Sequence, residues 1–211
     1  MIKAVVFDLD DTLFEETDYV KSGFNSIGTA FGDNLLGDKL WKLFCQDKKN
    51  VYQRAGFSEK ECQRCIEIYR EHFPDITLSE DIKEILHKLK QKGLKLGIIT
   101  DGRPQGQRNK IAALGLDEIM NCIIVTDELG GEEFRKPHPR SFELMRESLG
   151  VEFCEMMYVG DNPKKDFFIG DIYPIVTVRL SGKGMYGVEE YLEGVKEKKT
   201  ITVLSELLEE I

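Results

Sequence analysis

Three carboxylates and a hydroxyl close the apolar run Val5-Val6-Phe7: Asp8, Asp10, Asp11 and Thr12 follow almost without interruption. Acids this close repel one another, so the stretch needs a cation or solvent to offset them. Asp8 and Asp10 are two residues apart, which at an extended strand end aims both to the same side. A hard cation with oxygen ligands, Mg²⁺ above all, would neutralise such a pair. A polar strand end leading into a turn would satisfy the same residues without any chemistry. The remaining polar segments decide between the two.

Those segments are Thr100-Asp101-Gly102, then Lys136 between Arg135 and Pro137, then Gly160-Asp161 through Asp166. Taken singly, Thr100 reads as a strand end and Lys136 as a solvated lysine. Taken together they supply a hydroxyl and an ammonium for phosphate oxygens and further carboxylates for a metal. Phosphoryl transfer needs that set of groups.

The elements that must position them alternate between strand and helix. Val5 to Asp8, Leu94 to Thr100, Cys122 to Thr126, Met156 to Val159 and Ile175 to Leu180 read as strands. Ile82, Ile85, Leu86 and Leu89 mark a helix closed by Lys92-Gly93, and residues 105–114 and 140–149 mark two more, each stopped by a glycine. Such spacing means βαβ units in a parallel sheet, an α/β fold of the doubly wound kind. Ligands in these sheets lie at the carboxyl ends of the strands, where Asp8, Thr100, Lys136 and Asp161 fall. Residues 15–79 break the alternation. Val20, Phe24, Ile27 and Phe31 fit one helical face and Leu40, Leu43 and Phe44 a second. A Ser58/Glu61 capping box precedes a third, through Cys62, Cys65, Ile66 and Tyr69. This stretch reads as a helical subdomain inserted into a core of residues 1–14 and 80–211.

At 211 residues with 41% apolar and 32% charged side chains, the chain can bury a sizeable core. Its net charge of −9 argues against nucleic acid or an anionic membrane as partner, though not against a small phosphorylated metabolite. No run is long enough to span a membrane and no signal peptide precedes the first strand, which points to a cytoplasmic protein. Cys62 and Cys65 have C-x-x-C spacing but no second ligand pair, so core packing in a reducing compartment is the better reading. Gly182-Lys183-Gly184-Met185-Tyr186-Gly187 matches G-x-G-x-x-G, yet too little chain follows for a dinucleotide-binding unit, and it reads as a loop.

In order and spacing the four polar segments resemble the motifs of the haloacid dehalogenase superfamily. Asp8-x-Asp10-x-Thr12, Thr100, Lys136 and Asp161 with Asp166 match its four motifs, and the inserted helices stand where the family carries a cap. The resemblance implies a Rossmann-like core and a Mg²⁺-dependent phosphatase. Asp8 would be the nucleophile, and Asp10 the general acid and then base. Thr100 and Lys136, with Asp101 beside them, would bind the substrate phosphate. Mg²⁺ would be held by Asp8, the Asp10 carbonyl and Asp161. Thr12 would support the loop, and Asp166 would be either a partner of Lys136 or a further metal-side ligand. Asp11 and Asp101 read as network residues and His138 as a turn residue. Asp10 sets the chain apart from the family's dehalogenases and phosphonate hydrolases. Sugar phosphomutases commonly carry Gly-Val where Asp11-Thr12 stands, which favours phosphatase over mutase. A signalling receiver domain also gathers acids, Thr and Lys around Mg²⁺, but it orders them differently and lacks a helical insertion. The substrate itself and the oligomeric state are not written in these motifs.

Overall fold

The computed structural model describes residues 1–182, 184 and 190–211. Six strands form one parallel sheet in the order β3-β2-β1-β4-β5-β6: β1 (Ala4–Phe7), β2 (Lys95–Thr100), β3 (Cys122–Val125), β4 (Met156–Gly160), β5 (Val176–Leu180) and β6 (Lys199–Ile201). The alternation of side chains sends Val5, Phe7, Leu96, Ile98, Met157 and Val159 to one face and Ala4, Val6, Ile99, Met156 and Tyr158 to the other. Both faces are buried, which is why the strands read as unbroken apolar runs. The doubly wound α/β expectation holds.

Between β1 and β2 lie five helices, α1 (Glu16–Phe31), α2 (Leu36–Gln46), α3 (Val51–Ala55), α4 (Glu59–Glu71) and α5 (Glu80–Gln91). The first four bury a cluster of their own, with Val20, Phe24, Ile27, Leu40, Phe44 and Cys65 at its centre. The Ser58/Glu61 capping box starts α4, the Ser58 N–H donating to Glu61 Oε2 at 2.8 Å. Cys62 and Cys65 are buried free thiols, Cys65 within that cluster, and burial pushes the Cys65 thiol up to about 11, which makes it a poor redox thiol. α5 instead packs Ile82, Ile85, Leu86 and Leu89 onto the sheet.

The rest of the winding is α6 (Pro104–Ala113), α7 (Arg140–Leu149) and α8 (Ile169–Ile172). Sequence periodicity did not reveal α3, α8 or β6, each too short to show a period. Lys183 and residues 185–189 of the G-x-G-x-x-G stretch lie outside the described residues. Among the described residues no helix is long and apolar enough to cross a membrane.

Candidate active site

The carboxyl ends of β1, β2 and β4 and the loop after β3 converge on one buried ammonium. Lys136 Nζ lies 2.8 Å from Asp8 Oδ1, 2.9 Å from Asp166 Oδ1 and 2.8 Å from the Tyr158 hydroxyl. All three of its donors are used. Burial alone would lower the Lys136 pKa, but the Asp166 and Asp8 carboxylates reverse that and hold it above the ordinary lysine value. Burial likewise favours a protonated Asp8, and here the Lys136 ammonium, helped by Lys165, outweighs it and holds the carboxyl below its usual range. The candidate nucleophile is therefore ionised.

Asp166 accepts from Lys136 and Tyr158 on Oδ1 and from the Asn162 N–H, 2.9 Å away, on Oδ2. Of the two roles the sequence left open, this geometry matches the partner of Lys136. Asp101 accepts the Lys136 backbone N–H at 3.0 Å and the Thr126 hydroxyl at 2.9 Å, so its carboxylate braces the lysine loop. Arg135 grips Asp127 with two bonds of 2.7 Å across the same loop. His138 stays within its turn, Nδ1 accepting the Arg140 N–H. Asp11, in the left-handed region at φ 55°, accepts the Glu16 N–H at 2.8 Å and anchors the start of α1. Thr12 is buried beside it, its Oγ1 meeting no hydrogen-bond partner among the described residues.

Asp8 and Asp10 turn to different partners. Asp10 Oδ1 lies 2.6 Å from Lys110 Nζ and Oδ2 2.9 Å from Gln107 Nε2. Gln107 also donates to the Thr100 hydroxyl. The first turn of α1 covers this group: Lys110 Nζ sits 4.3 Å from the centre of the Tyr19 ring, and burial together with Asp10 pushes the Glu16 carboxyl up to about 7 against the pull of Lys110.

Ligand oxygens of Asp8, Asp161 and Asp166 all lie within 4.8 Å of one another. Buried Asp8 Oδ2 has no hydrogen-bond partner among the described residues, and Lys165 Nζ is 3.5 Å from it and equally far from Asp101 Oδ2. Burial, then the charges of Asp8 and Asp166, pushes Asp161 up to about 8. Among the described residues the carboxylates of Asp8, Asp101, Asp161 and Asp166 thus share the ammoniums of Lys136 and Lys165 alone. The shortfall is what one divalent cation supplies, and an all-oxygen donor set suits Mg²⁺. Asp8 and Asp161 would hold it, Asp166 being already engaged.

Four contributors escaped the sequence reading. Gln107, Lys110, Ile111 and Leu114 share one helical face and are 4%, 4%, 0% and 5% exposed, so a glutamine and a lysine occupy positions that periodicity reserves for apolar residues. That misfit is a readable signal. Tyr158 and Lys165 gave none, since one passes for a strand residue and the other for a solvated loop lysine.

The haloacid dehalogenase-like hydrolase pattern matches residues 5–171 of the chain. A glyceraldehyde 3-phosphate phosphatase of Methanopyrus kandleri is 27% identical over 88% of this chain and 86% of its own length. The pyrophosphatase PpaX of Bacillus cereus is 26% identical over 98% of this chain and 95% of its own. Among solved structures, YfnB of Bacillus subtilis, bound to magnesium, superposes with a TM-score of 0.70 at 17% identity, covering 99% of this chain and 97% of that one. Asp8 just past β1, Lys136 on the loop after β3, Asp161 and Asp166 after β4 and the matching pattern agree: the chain belongs to the haloacid dehalogenase-like hydrolases.

Proposed function

We propose that this hydrolase is a Mg²⁺-dependent phosphatase that cleaves a small phosphate monoester through an aspartyl-phosphate on Asp8. The phosphatase assignment follows the activities of its relatives together with Asp10. The observation that carries the covalent route is Asp8 itself: Lys136 and the Leu9 N–H hold Oδ1 at 2.8 and 2.9 Å, leaving Oδ2 free to attack. Attack forms the Oδ2–P bond and breaks the bond from phosphorus to the ester oxygen, which takes a proton from Asp10. Water then attacks the aspartyl-phosphate, Asp10 accepts its proton, and Asp8 and inorganic phosphate are released. Thr100, donating its hydroxyl, would meet a phosphoryl oxygen, and Lys136, its three donors already engaged, would act on the phosphoryl group through its charge. Mg²⁺, held by Asp8, Asp161 and the Asp10 carbonyl, would offset the charge that gathers there.

Turnover of 4-nitrophenyl phosphate should require Mg²⁺ and stop in excess EDTA, with Ca²⁺ binding but supporting poor turnover. Full activity in EDTA would remove the metal from the mechanism.

Residues 15–79 would act as a cap that reads the leaving group over a core of residues 1–14 and 80–211. The support is that α1–α4 pack around their own cluster and that this segment touches the core beside the Asp10 partners, Tyr19 on Lys110 and the His72 carbonyl on the neighbouring Asn109 Nδ2 at 3.0 Å. Replacing 15–79 by a short linker should leave slow cleavage of activated esters with preference among natural ones flattened. An unchanged preference order would show that the core reads the substrate. The names of the relatives make a triose phosphate and pyrophosphate the first compounds to compare.

A further inference from the structure

Burying a lysine on the packed face of α6 is costly, and the aliphatic neighbours Ile111 and Leu114 show what that face otherwise takes. Packing therefore does not account for Lys110. Its ammonium is spent on Asp10 Oδ1, 2.6 Å away, under the ring of Tyr19. One helical turn earlier, Gln107 reaches Oδ2 at 2.9 Å and also meets Thr100 Oγ1. The Gln107 amide nitrogen donates to both Asp10 Oδ2 and Thr100 Oγ1, so its two N–H groups are divided between them. Thr100 Oγ1 then accepts from Gln107, and its own proton is left to be donated elsewhere. Each Asp10 oxygen keeps another acceptor site, and the side chain is 20% exposed, so the carboxyl is fixed yet reachable.

We propose that Gln107 and Lys110 are positioning residues for the reaction, holding Asp10 in its acid–base pose, with Gln107 also turning the Thr100 hydroxyl so that its proton points at a phosphoryl oxygen. The inference rests on Asp10 being the acid–base group. It distinguishes residues that act through Asp10 from residues that merely fill the core, because only the former lose their effect once Asp10 is disabled.

The test is a double-mutant cycle of Lys110→Met, which keeps the aliphatic stem, with Asp10→Asn. Alone, Asp10→Asn should spare the first step on 4-nitrophenyl phosphate, whose leaving group needs no proton, while cutting kcat/KM on an alkyl phosphate by about 10²–10⁴. Lys110→Met should follow the same pattern more weakly, about 10–100-fold on the alkyl ester and only a few-fold in the single-turnover burst on the aryl ester. Added to Asp10→Asn, it should change the alkyl-ester rate by less than about twofold. Gln107→Met, which removes both N–H donors, serves as the second variant: its effect on the alkyl ester should shrink in the Asp10→Asn background without vanishing, the remainder being the Thr100 contribution, felt on both esters. Equal losses in both backgrounds, or equal losses on both esters for Lys110→Met, would reduce the pair to structural residues and overturn the proposal. An inactive wild-type enzyme would overturn the phosphatase reading and this inference with it, whereas an active wild type with additive losses overturns this inference alone.

Discussion

Lys136→Met is expected to abolish turnover and to cost the fold about 3–5 kcal/mol, the usual consequence of removing one partner from a buried ion pair. The side chain is 0% exposed and serves Asp8, Asp166 and Tyr158 at once. Without the ammonium, two buried carboxylates face each other and Asp161 with Lys165, 3.5 Å from Asp8, too distant to replace the lost bonds, and water cannot easily take its place. Asp8 would lose the charge that keeps it ionised, so the nucleophile and the fold fail for one electrostatic reason. Denaturant unfolding read beside activity checks this. A variant that unfolds at the wild-type midpoint would show that the Asp8–Lys136–Asp166 cluster is not under the strain its burial implies.

Asp8→Asn is expected to separate the two effects. Lys136 keeps Asp166 and Tyr158, and the acidic cluster loses one of its repelling members, so the melting temperature should stay within a few degrees of wild type. Activity should nevertheless vanish on alkyl and aryl esters alike, by about 10⁴–10⁶, the scale on which loss of a nucleophile is felt. Intact-mass measurement after a quench should show the wild-type chain carrying one phosphoryl group and the variant none. Residual steady-state turnover near wild type would mean that water attacks the ester directly and that Asp8 only holds metal.

The strand ends and their acids could be read directly from the chain, because buried parallel strands are continuous apolar runs and Asp8, Thr100 and Asp161 punctuate them. The loop lysine gained its meaning only from standing after β3. The helical insertion was legible through its apolar faces and the Ser58/Glu61 box. What periodicity could not show was which donors meet which acceptors. Tyr158 belongs to the apolar pattern of β4, and only the crossing of three segments brings its hydroxyl to Lys136 and Asp166. Asp10 was read beside Asp8 on one side of a strand end, yet β1 stops at Phe7 and the chain turns, so its carboxylate reaches α6 instead. Asp101 illustrates the same limit, since nothing local says that its Oδ1 is taken by Thr126 and the Lys136 N–H.

The sheet order has a consequence for how this chain acquires its structure. β1 is made first but lies in the middle, and Ala4 pairs with Lys95 on one side and Met156 on the other. During synthesis the strand that carries Asp8 must wait, both edges open, while α1–α4 emerge and close their local contacts around Phe24 and Leu40. Closing such long loops is slow, so the helical unit is expected to be ordered before the sheet is continuous. The assembly of Asp8, Lys136 and Asp161 then becomes a late event, and a nascent chain released before β4 carries Asp8 at the end of an exposed, aggregation-prone strand.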